Sequence, residues 1–362
     1  MSAFVIAARR TAVVPRGGAF VRLSLPDLAA PVIEACLSDA GISMDEVDEV
    51  IVANALGAGG NPARLSALAA GLPERVAGLT IDRQCAGGLD AVLLAQALVT
   101  SGMAEVVIAG GAESYSRRPL RFATDPDGGR PVEYDRPAFT PWPERDPEMH
   151  VAAAALAVRL GIGRPEQDDW AIQSHFKALA ATGHAEIVEL AGQGRDAFAR
   201  RLTMDTARRA RSLSGSVTVA NAAVAADAAA FVVVVSERRA RTLRHALRIV
   251  GGVTLGGRPE EPGLAPVAAI ARVLDQAGMH AGDIRVAEIM EAYAVQAIAC
   301  VRAAGFDPGI VNPGGGALAR GHPIGASGAI LAVRLFHQMQ RGYGLAAIAA
   351  AGGIGTALVV EA

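Results

Sequence analysis

An internal repeat restricts the fold of this chain more than any other feature of the sequence. Residues 87–102, GGLDAVLLAQALVTSG, predict an amphipathic helix ending at Gly102, and residues 104–114, AEVVIAGGAES, predict a buried strand running into a glycine-rich turn. The same order returns near the carboxyl end, where GASGAILAVRLFHQMQRGYG predicts a helix and LAAIAAAGGIGTALVVEA predicts two strands joined by a Gly-Gly turn. The repeat predicts two copies of one α/β unit.

Short β-like runs alternate with helical patterns elsewhere in the chain, as in FVIAAR, DLAAPVIEACLSDAG, EVIVAN and ARLSALAAGL. This alternation predicts an α/β fold with a mostly parallel sheet. Between the two copies, residues 117–213 include a stretch rich in Pro, Arg and Asp and two helical patterns, so we expect an inserted loop subdomain that covers a face of the core. The predicted first half comprises residues 1–116 and 214–245, and the second half residues 246–362.

Composition argues against several classes of protein. Of 362 residues, 51% are hydrophobic and 19% charged, which is enough for a buried core, and a formal net charge of -2 indicates no surface for nucleic acid or an acidic membrane. The amino-terminal sequence lacks the pattern of a secretory signal, and no apolar stretch reaches the ~18 to 20 residues needed to cross a bilayer. We therefore expect a cytoplasmic protein that binds small molecules, with no nucleic-acid partner and no membrane attachment.

Cys85 is the first candidate for chemistry. It lies in IDRQCAGGLDAV, directly before a helix, where the helix dipole and free backbone N–H groups lower the pKa of a thiol and can stabilise an oxyanion. Gly87 and Gly88 would let a substrate approach the backbone. A buried, inert cysteine is the alternative. The other cysteines, Cys36 and Cys300, are distant in sequence, so we predict reduced thiols and no metal site.

His322 is the second candidate. It lies in NPGGGALARGHPIGASG, a glycine-rich loop before the helix of the second copy, where Pro323 restricts the backbone next to the imidazole. A histidine in such a loop favours catalysis over a structural role. Apart from His150, the other histidines have helical or polar surroundings that indicate solvated or capping side chains: His175, His184, His245, His280 and His337.

These segments resemble the thiolases over nearly the full chain. The similarity is carried by ARRTAVVPRGGAF, GNPARLSALAAGLP, QCAGGLDAV, GGAES, RPEQDDWAIQSHFKA, TVANAAVAADAAA, EIMEAYA and GHPIGASGA. The resemblance implies two duplicated βαβαβαββ halves that form a layered αβαβα core with an inserted loop subdomain. It also implies that Cys85 accepts an acyl group from a thioester, that His322 activates the thiol, and that the N–H of Gly353 joins that of Cys85 in an oxyanion site.

The site departs from the thiolase pattern at three positions. Ala349 stands where thiolases have a second cysteine, the base that removes an α-proton from the second acyl-CoA. Met290, in MEAY, stands where the NEAF motif has an asparagine that holds a water at the first oxyanion site. Ala223, in NAA, stands where the NAS motif offers a serine to pantetheine. The resemblance therefore implies an incomplete thiolase site in which condensation by α-proton removal is not supported.

Two neighbouring residues are further candidates for the substrate pocket. Met149, in EMHVAAA, corresponds to the methionine of a Met-Gly pair near the acyl pocket of thiolases, and His150 takes the place of the glycine. An imidazole there would be an auxiliary group and a candidate replacement for the missing base. A capping or packing role for His150 is the alternative.

The resulting expectation is an acyltransferase of the thiolase type, similar to acetyl-CoA acetyltransferases and ketothiolases. It would take an acyl group from CoA or an acyl-carrier protein onto Cys85, with no resident cofactor, and pass it to water, another nucleophile, or a carbanion formed by decarboxylation. The alternative is a non-catalytic binding or scaffolding subunit that keeps the fold and the acyl pocket. A homodimer is expected, because the shortened loop subdomain would weaken the contacts of a tetramer.

Overall fold

The computed structural model describes residues 2–57, 59–181, 185–241 and 243–362. The strands in these ranges are β1 (Ala3–Thr11), β2 (Val14–Pro15), β3 (Glu49–Ala53), β4 (Leu79–Ile81), β5 (Val106–Glu113), β6 (Arg121–Ala123), β7 (Val132–Tyr134), β8 (Ile187–Val188), β9 (Ser212–Ser214), β10 (Val217–Thr218), β11 (Ala226–Ser236), β12 (Leu247–Gly256), β13 (Ile284–Ile289), β14 (Tyr343–Ala350) and β15 (Ile354–Glu361). The α-helices are α1 (Leu25–Ala40), α2 (Pro62–Ala69), α3 (Gly87–Thr100), α4 (Met149–Leu160), α5 (Arg164–Ala180), α6 (Met204–Arg208), α7 (Glu237–Ala240), α8 (Ala265–Ala277), α9 (Ala294–Ala304), α10 (Ala317–Arg320) and α11 (Ile324–Gln338).

The large sheet is mixed and not mostly parallel as predicted, because β11 and β15 run antiparallel to their neighbours, and it shows the duplication directly. Its strand order is β13-β14-β15-β12-β1-β11-β5-β3-β4. In the first half β3 runs parallel to β5, and β11 runs antiparallel to both β5 and β1. In the second half β13 runs parallel to β14, and β15 runs antiparallel to both β14 and β12. The two halves meet where β1 pairs with β12, and the predicted repeat of one α/β unit is confirmed.

Two helices fill the space between the halves. α3 contacts β5 and β11 of its own half and β12 and β15 of the other, whereas α11 contacts β13 and β14 of its own half and β1, β5 and β11 of the other. α1 packs on β1 and β11, and α8 packs on β12 and β15. This is the predicted layered αβαβα core. Gly328 allows the two central helices to approach closely, because a Cβ at this position would lie 2.4 Å from the backbone nitrogen of Leu89.

One prediction about the first copy is wrong. Gly110 and Gly111 do not form a turn after the strand but lie within β5. A Cβ at Gly110 would lie 2.0 Å from the carbonyl oxygen of Ala230 in the neighbouring strand, and one at Gly111 would lie 2.1 Å from that of Gly325 in the central helix layer. These glycines therefore allow close approach inside the core and do not end the strand.

The described part of the chain between β5 and β11 adds hairpins and helices to the core. It contains the β6–β7 and β9–β10 hairpins, and its helices α4 and α5 pack against α9 of the second half. The two helical patterns read within residues 117–213 are confirmed, whereas the exact domain limits stay predictions. Among the helices that the structure describes, none is long and apolar enough to span a membrane.

A buried group of charged side chains connects this addition to the core. Arg10 on β1 donates to Glu186 and to Asp196, with a nitrogen–oxygen distance of 2.6 Å in each pair. Arg334 on α11 also donates to Glu186, at 2.7 Å. These pairs connect the segment around Glu186 to both β1 and the central helix. Removal of one partner would leave an uncompensated buried charge, which is strongly destabilising.

Candidate active site

Cys85 lies in a short turn, Gln84–Ala86, between β4 and the amino end of α3. Gln84 has a φ angle of 49°, an uncommon conformation for a residue other than glycine. α3 begins at Gly87, where a Cβ would lie 2.9 Å from the Cβ of Ala53. The turn therefore packs directly against the end of β3, and it places the sulfur at the amino end of α3 as predicted.

His322 is placed beside this sulfur by the loop between α10 and α11. Its backbone N–H donates to the carbonyl oxygen of Val224 at 2.8 Å, so the loop lies along the segment that leads into β11. The Nε2 atom of His322 lies 3.1 Å from the Sγ atom of Cys85, although the two residues are 237 positions apart. The structure thus brings together the two residues that the sequence singled out most strongly.

Ser327 determines the orientation and the tautomer of His322. Its Oγ lies 2.7 Å from Nδ1 of His322 and donates to the carbonyl oxygen of Pro323 at 3.0 Å. Because a hydroxyl has one proton and donates it to Pro323, Oγ accepts the Nδ1–H of the imidazole. The unprotonated Nε2 then accepts the thiol proton of Cys85. Sequence analysis missed Ser327, although its place one helical turn after Pro323 is a signal for such a bond.

Burial controls the charge of both reactive groups. It raises the pKa of the Cys85 thiol to about 12, the N–H groups of Cys85 and Ala351 act in the opposite direction, and the charge of Glu113 adds to the increase. Burial lowers the pKa of His322 to about 4. The expected lowering of the thiol pKa is therefore wrong for the resting site, because loss of hydration outweighs the N–H groups. Near neutral pH the pair consists of a thiol and a neutral imidazole.

The Cys85–His322 pair opens into a cavity of about 290 Å³. Three residues proposed from the sequence line it: Met149 from α4, Ala223 from the segment before β11, and Ala349 from β14. The other lining residues are mostly apolar: Gln84, Tyr115, Phe139, Ala152, Ala153, Leu156, Ala225, Glu261, Pro262, Gly263, Ala292, Tyr293, Gln296, Ile324, Ala350 and Ala351. Both halves and the inserted segment therefore contribute to one site.

The oxyanion role expected for Gly353 requires a correction. The backbone N–H that interacts with the sulfur from the carboxyl-terminal loop is that of Ala351, two residues earlier. Gly352 and Gly353 have φ angles of 79° and 77° and form the turn from β14 to β15, beyond the cavity. Ala351 directly follows β14, so its N–H faces the site before the chain turns away.

Two auxiliary residues expected from the sequence also lie elsewhere. Met290 is 1% exposed and packs in the hydrophobic core directly after β13, so it does not line the cavity. His150 is half-buried in the first turn of α4 and does not line the cavity either. Successive helical residues point about 100° apart, since 3.6 residues make one turn, so Met149 faces the cavity and His150 turns away. The geometry does not support His150 as a replacement base.

The remaining histidines that the structure describes lie outside the cavity wall. His175 is 1% exposed, and burial lowers its pKa to about 4. The prediction of a solvated side chain is therefore wrong for His175. His245 and His337 each contact a backbone carbonyl oxygen, and His280 is exposed beside a short turn, as expected. His184 lies outside the described residues.

Sequence reasoning missed Glu113, a buried carboxylate whose charge acts on Cys85. It accepts the backbone N–H groups of Ala55, Leu56 and Gly325 and a side-chain N–H of Asn54. Glu113 therefore connects the end of β3 to the first turn of α11, and burial raises its pKa to about 7. A charged residue at the end of a fully buried strand, as in GGAES, is the sequence signal for such a role.

Family comparisons cover almost the whole chain. The model of the thiolase N-terminal domain matches residues 3–238, and that of the thiolase C-terminal domain matches residues 243–362. The chain belongs to the thiolase family. This thiolase is 38% identical over 391 residues to the acetyl-CoA acetyltransferase of Cupriavidus necator, covering 99% of this chain and 98% of the relative.

Solved structures agree with this assignment. The crystal structure of the Bacillus anthracis acetyl-CoA acetyltransferase matches with a TM-score of 0.93 at 33% identity, covering 99% of this chain and 98% of that chain. The Acat5 thiolase from Ascaris suum, in complex with coenzyme A, matches with a TM-score of 0.93 at 27% identity over 100% of both chains. The predicted thiolase fold is confirmed, and the protein is an acyltransferase of the thiolase type.

Proposed function

We propose that this thiolase forms a covalent acyl-enzyme on Cys85 from an acyl thioester of CoA or of an acyl-carrier protein. The observation that carries the proposal is the 3.1 Å contact between Sγ of Cys85 and Nε2 of His322. Ser327 supports it, because its bond to Nδ1 leaves Nε2 free to accept a proton. The acetyl-CoA acetyltransferase named among the relatives makes acetyl-CoA the first donor to test.

The transfer needs no charged group in the resting site. As the sulfur of Cys85 bonds to the thioester carbonyl carbon, Nε2 of His322 takes the thiol proton. The oxyanion then forms near the N–H groups of Cys85 and Ala351, which face the sulfur. Cleavage of the donor's carbon–sulfur bond releases a thiolate, which takes the proton from His322. The acyl group moves from one sulfur to the other, and no proton is gained or lost overall.

The acceptor of the acyl group is inferred from position 349, where the cavity wall has an alanine and no thiol. The Ala349 methyl lies where a second thiol would remove an α-proton, and Met290 and His150 do not line the cavity. We therefore infer that the acyl group passes to water, to another nucleophile, or to a carbanion generated by decarboxylation. A non-catalytic binding or scaffolding role is the second candidate, favoured by alanine at positions 223 and 349.

Intact-protein mass spectrometry tests the acyl-enzyme. The wild-type protein is incubated with acetyl-CoA, malonyl-CoA and longer acyl-CoAs, and with acyl-carrier protein loaded with the same groups. We expect a mass increase equal to one acyl group with at least one donor. If every donor leaves the mass unchanged, the result favours the non-catalytic role over the acyl-enzyme.

Replacing Ser327 with alanine should slow acylation roughly tenfold to a hundredfold, because the imidazole loses the acceptor that selects its tautomer. The rate of mass gain after mixing with the active donor measures this effect. Ser66→Ala is the matched control, since Ser66 is a buried helical serine whose Oγ also donates to the carbonyl four residues earlier, at 2.8 Å. Equal rates for Ser327→Ala and Ser66→Ala would show that Ser327 does not position His322.

Introducing a thiol at position 349 should raise thiolytic cleavage of acetoacetyl-CoA by about a hundredfold or more, because proton transfer by a positioned group contributes on that scale. Ala349 lines the cavity beside Cys85 and His322, so the side chain of Ala349→Cys would face the bound substrate. Release of acetyl-CoA is the measurement. Adding Met290→Asn is not advisable, because position 290 is buried in the hydrophobic core and an amide there would be unpaired.

Ala349→Ser is the matched control for this gain of activity. The hydroxyl is close in size to the thiol, but it does not ionise near neutral pH, so we expect no gain. A folded Ala349→Cys variant with no more activity than Ala349→Ser would indicate that binding of the thioester, and not the missing base, limits cleavage.

The homodimer, the cytoplasmic location and the lack of a resident cofactor remain predictions.

A further inference from the structure

Two phenol side chains line the cavity and make no hydrogen bond to any residue that the structure describes. Tyr115 and Tyr293, here called the phenol pair, both line the cavity that contains Cys85 and His322. Within the described ranges neither phenol oxygen makes a hydrogen bond, and neither is sealed from solvent as a buried unsatisfied atom. Both hydroxyls are therefore free to bond to a molecule in the cavity.

The other polar side chains that line the cavity are already engaged. The amide of Gln84 donates to Asp82, and that of Gln296 accepts a backbone N–H four residues earlier. Glu261 pairs with two arginines. The amide nitrogen of Gln296 also donates to Sγ of Cys300, at 3.5 Å. Apart from the reactive pair, the phenol hydroxyls are thus the polar side-chain groups without a hydrogen-bond partner among the lining residues that the structure describes.

The backbone places the two tyrosines at different parts of the site. Tyr115 lies two residues after Glu113, the last residue of β5. Tyr293 caps α9 and pairs through a backbone bridge with Ala222. The adjacent N–H of Ala223 donates to the carbonyl oxygen of Ala292 at 2.9 Å. Tyr293 therefore lies next to the position where the serine hydroxyl expected for pantetheine is replaced by a methyl group.

The two hydroxyls are uncharged in the resting site and belong to different sides of the cavity. Burial raises the pKa of Tyr115 well above its ordinary value and that of Tyr293 to about 12, and the charge of Cys85 adds to both increases. Glu113, two residues before Tyr115, accepts the backbone N–H of Gly325, which lies three residues after His322. Tyr115 is thus on the side of the loop that carries His322, whereas Tyr293 is beside the segment before β11. Both stay protonated at neutral pH, so each is a donor and not a base.

We infer that the phenol pair binds the oxygen atoms of a phosphopantetheine thioester. Tyr115 donates to the carbonyl oxygen of the acyl group beside Cys85, and Tyr293 donates to an amide oxygen of the pantetheine arm beside Ala223. This inference rests on the proposed acyl transfer to Cys85. CoA and an acyl-carrier protein present the same arm, so the pair would serve either donor.

Binding is measured on Cys85→Ala, which lacks the acyl-accepting sulfur. Calorimetry with acetyl-CoA and with acetyl-pantetheine is expected to show Kd raised about threefold to tenfold for both donors when Tyr293→Phe is added, the effect of one hydrogen bond. An effect on acetyl-CoA alone would place the contact on the nucleotide and overturn the assignment to the arm. Tyr134→Phe, on β7 outside the cavity wall, is the matched control.

Acylation is measured on the protein that retains Cys85. Tyr115→Phe is expected to lower the acylation rate constant at saturating donor by about tenfold or more, with Kd changed less than about twofold, because its donor acts mainly on the developing oxyanion. A general loss of folding would instead move the melting temperature and both constants together. Tyr→Phe removes only the hydroxyl, so melting curves of the variants should match that of Tyr134→Phe.

The outcomes separate this inference from the proposed function. Wild-type protein that binds a donor without gaining acyl mass contradicts the acyl-enzyme, and the Kd comparison still tests Tyr293. Acylation that proceeds equally well in Tyr115→Phe and Tyr293→Phe, with Kd also unchanged, overturns the phenol pair alone. If neither acetyl-CoA nor acetyl-pantetheine binds to Cys85→Ala, the phenol pair is overturned as well.

Discussion

Cys85→Ala is expected to abolish the acyl mass increase, lowering the acylation rate by more than about 10³-fold. The sulfur of Cys85 lies 3.1 Å from Nε2 of His322 and lines the cavity. Neither of the other two cysteines can substitute for it. Cys36 and Cys300 are both fully buried, and neither lines the cavity. An acyl group that reaches the protein should therefore be carried by Cys85.

Cys300→Ala is the matched control for this experiment. It makes the same change at a buried thiol whose Sγ donates to the carbonyl oxygen of Gly263 at 3.2 Å, and it should keep the full mass increase. Peptide mapping of the acylated wild-type protein should find the group on the peptide that contains Cys85. An adduct that survives Cys85→Ala, or that maps to another residue, would contradict the assigned nucleophile.

Alkylation of the resting thiol should be unusually slow, by roughly 10²- to 10³-fold relative to a free cysteine at pH 7. The physical reason is burial, which raises the pKa of Cys85 to about 12. A raised thiol pKa means that the thiolate is scarce at neutral pH and increases as pH rises. The rate of modification by iodoacetamide should therefore climb with pH from about 6 to 10 without reaching a plateau.

A plateau near neutral pH would instead indicate a thiolate paired with an imidazolium, contrary to the lowered pKa of His322. Denatured protein supplies the reference for an ordinary cysteine. Glu113→Gln separates the contributions, because its charge adds to the raised pKa of Cys85. This variant should react faster above pH 7, where the carboxyl of the wild-type protein, with a pKa of about 7, is ionised.

Much of the fold could be predicted, because local patterns of hydrophobic residues and glycines indicate its helices and strands. The helix-strand order of residues 87–113 recurs at 324–361, and both copies form a helix followed by a core strand. The Gly-Gly turn was predicted correctly in the second copy but wrongly in the first. A Gly-Gly pair serves either a turn with positive φ or close packing inside a strand. Which of these roles it has depends on the neighbouring strand and helix.

The site was predicted less completely. Cys85 and His322 stood out because a reactive cysteine and histidine in glycine-rich surroundings form a specific pattern, and Ala349 lines the cavity as expected. The thiolase resemblance implied Gly353 for the oxyanion site, whereas the N–H that acts on the sulfur of Cys85 is that of Ala351, two residues earlier. Tyr115 and Tyr293 were not singled out, because a tyrosine in sequence gives no sign of whether its hydroxyl is paired.

The sequence by itself determined the duplicated architecture, the selection of Cys85 and His322 as candidates, and the alanine at position 349. Only the tertiary structure decided the charge state of the pair, because the pKa values of Cys85 and His322 follow from burial by residues distant in the chain. It also decided which polar groups remain free for a ligand. Those properties depend on the summed surroundings of each atom, which local periodicity and motifs do not contain.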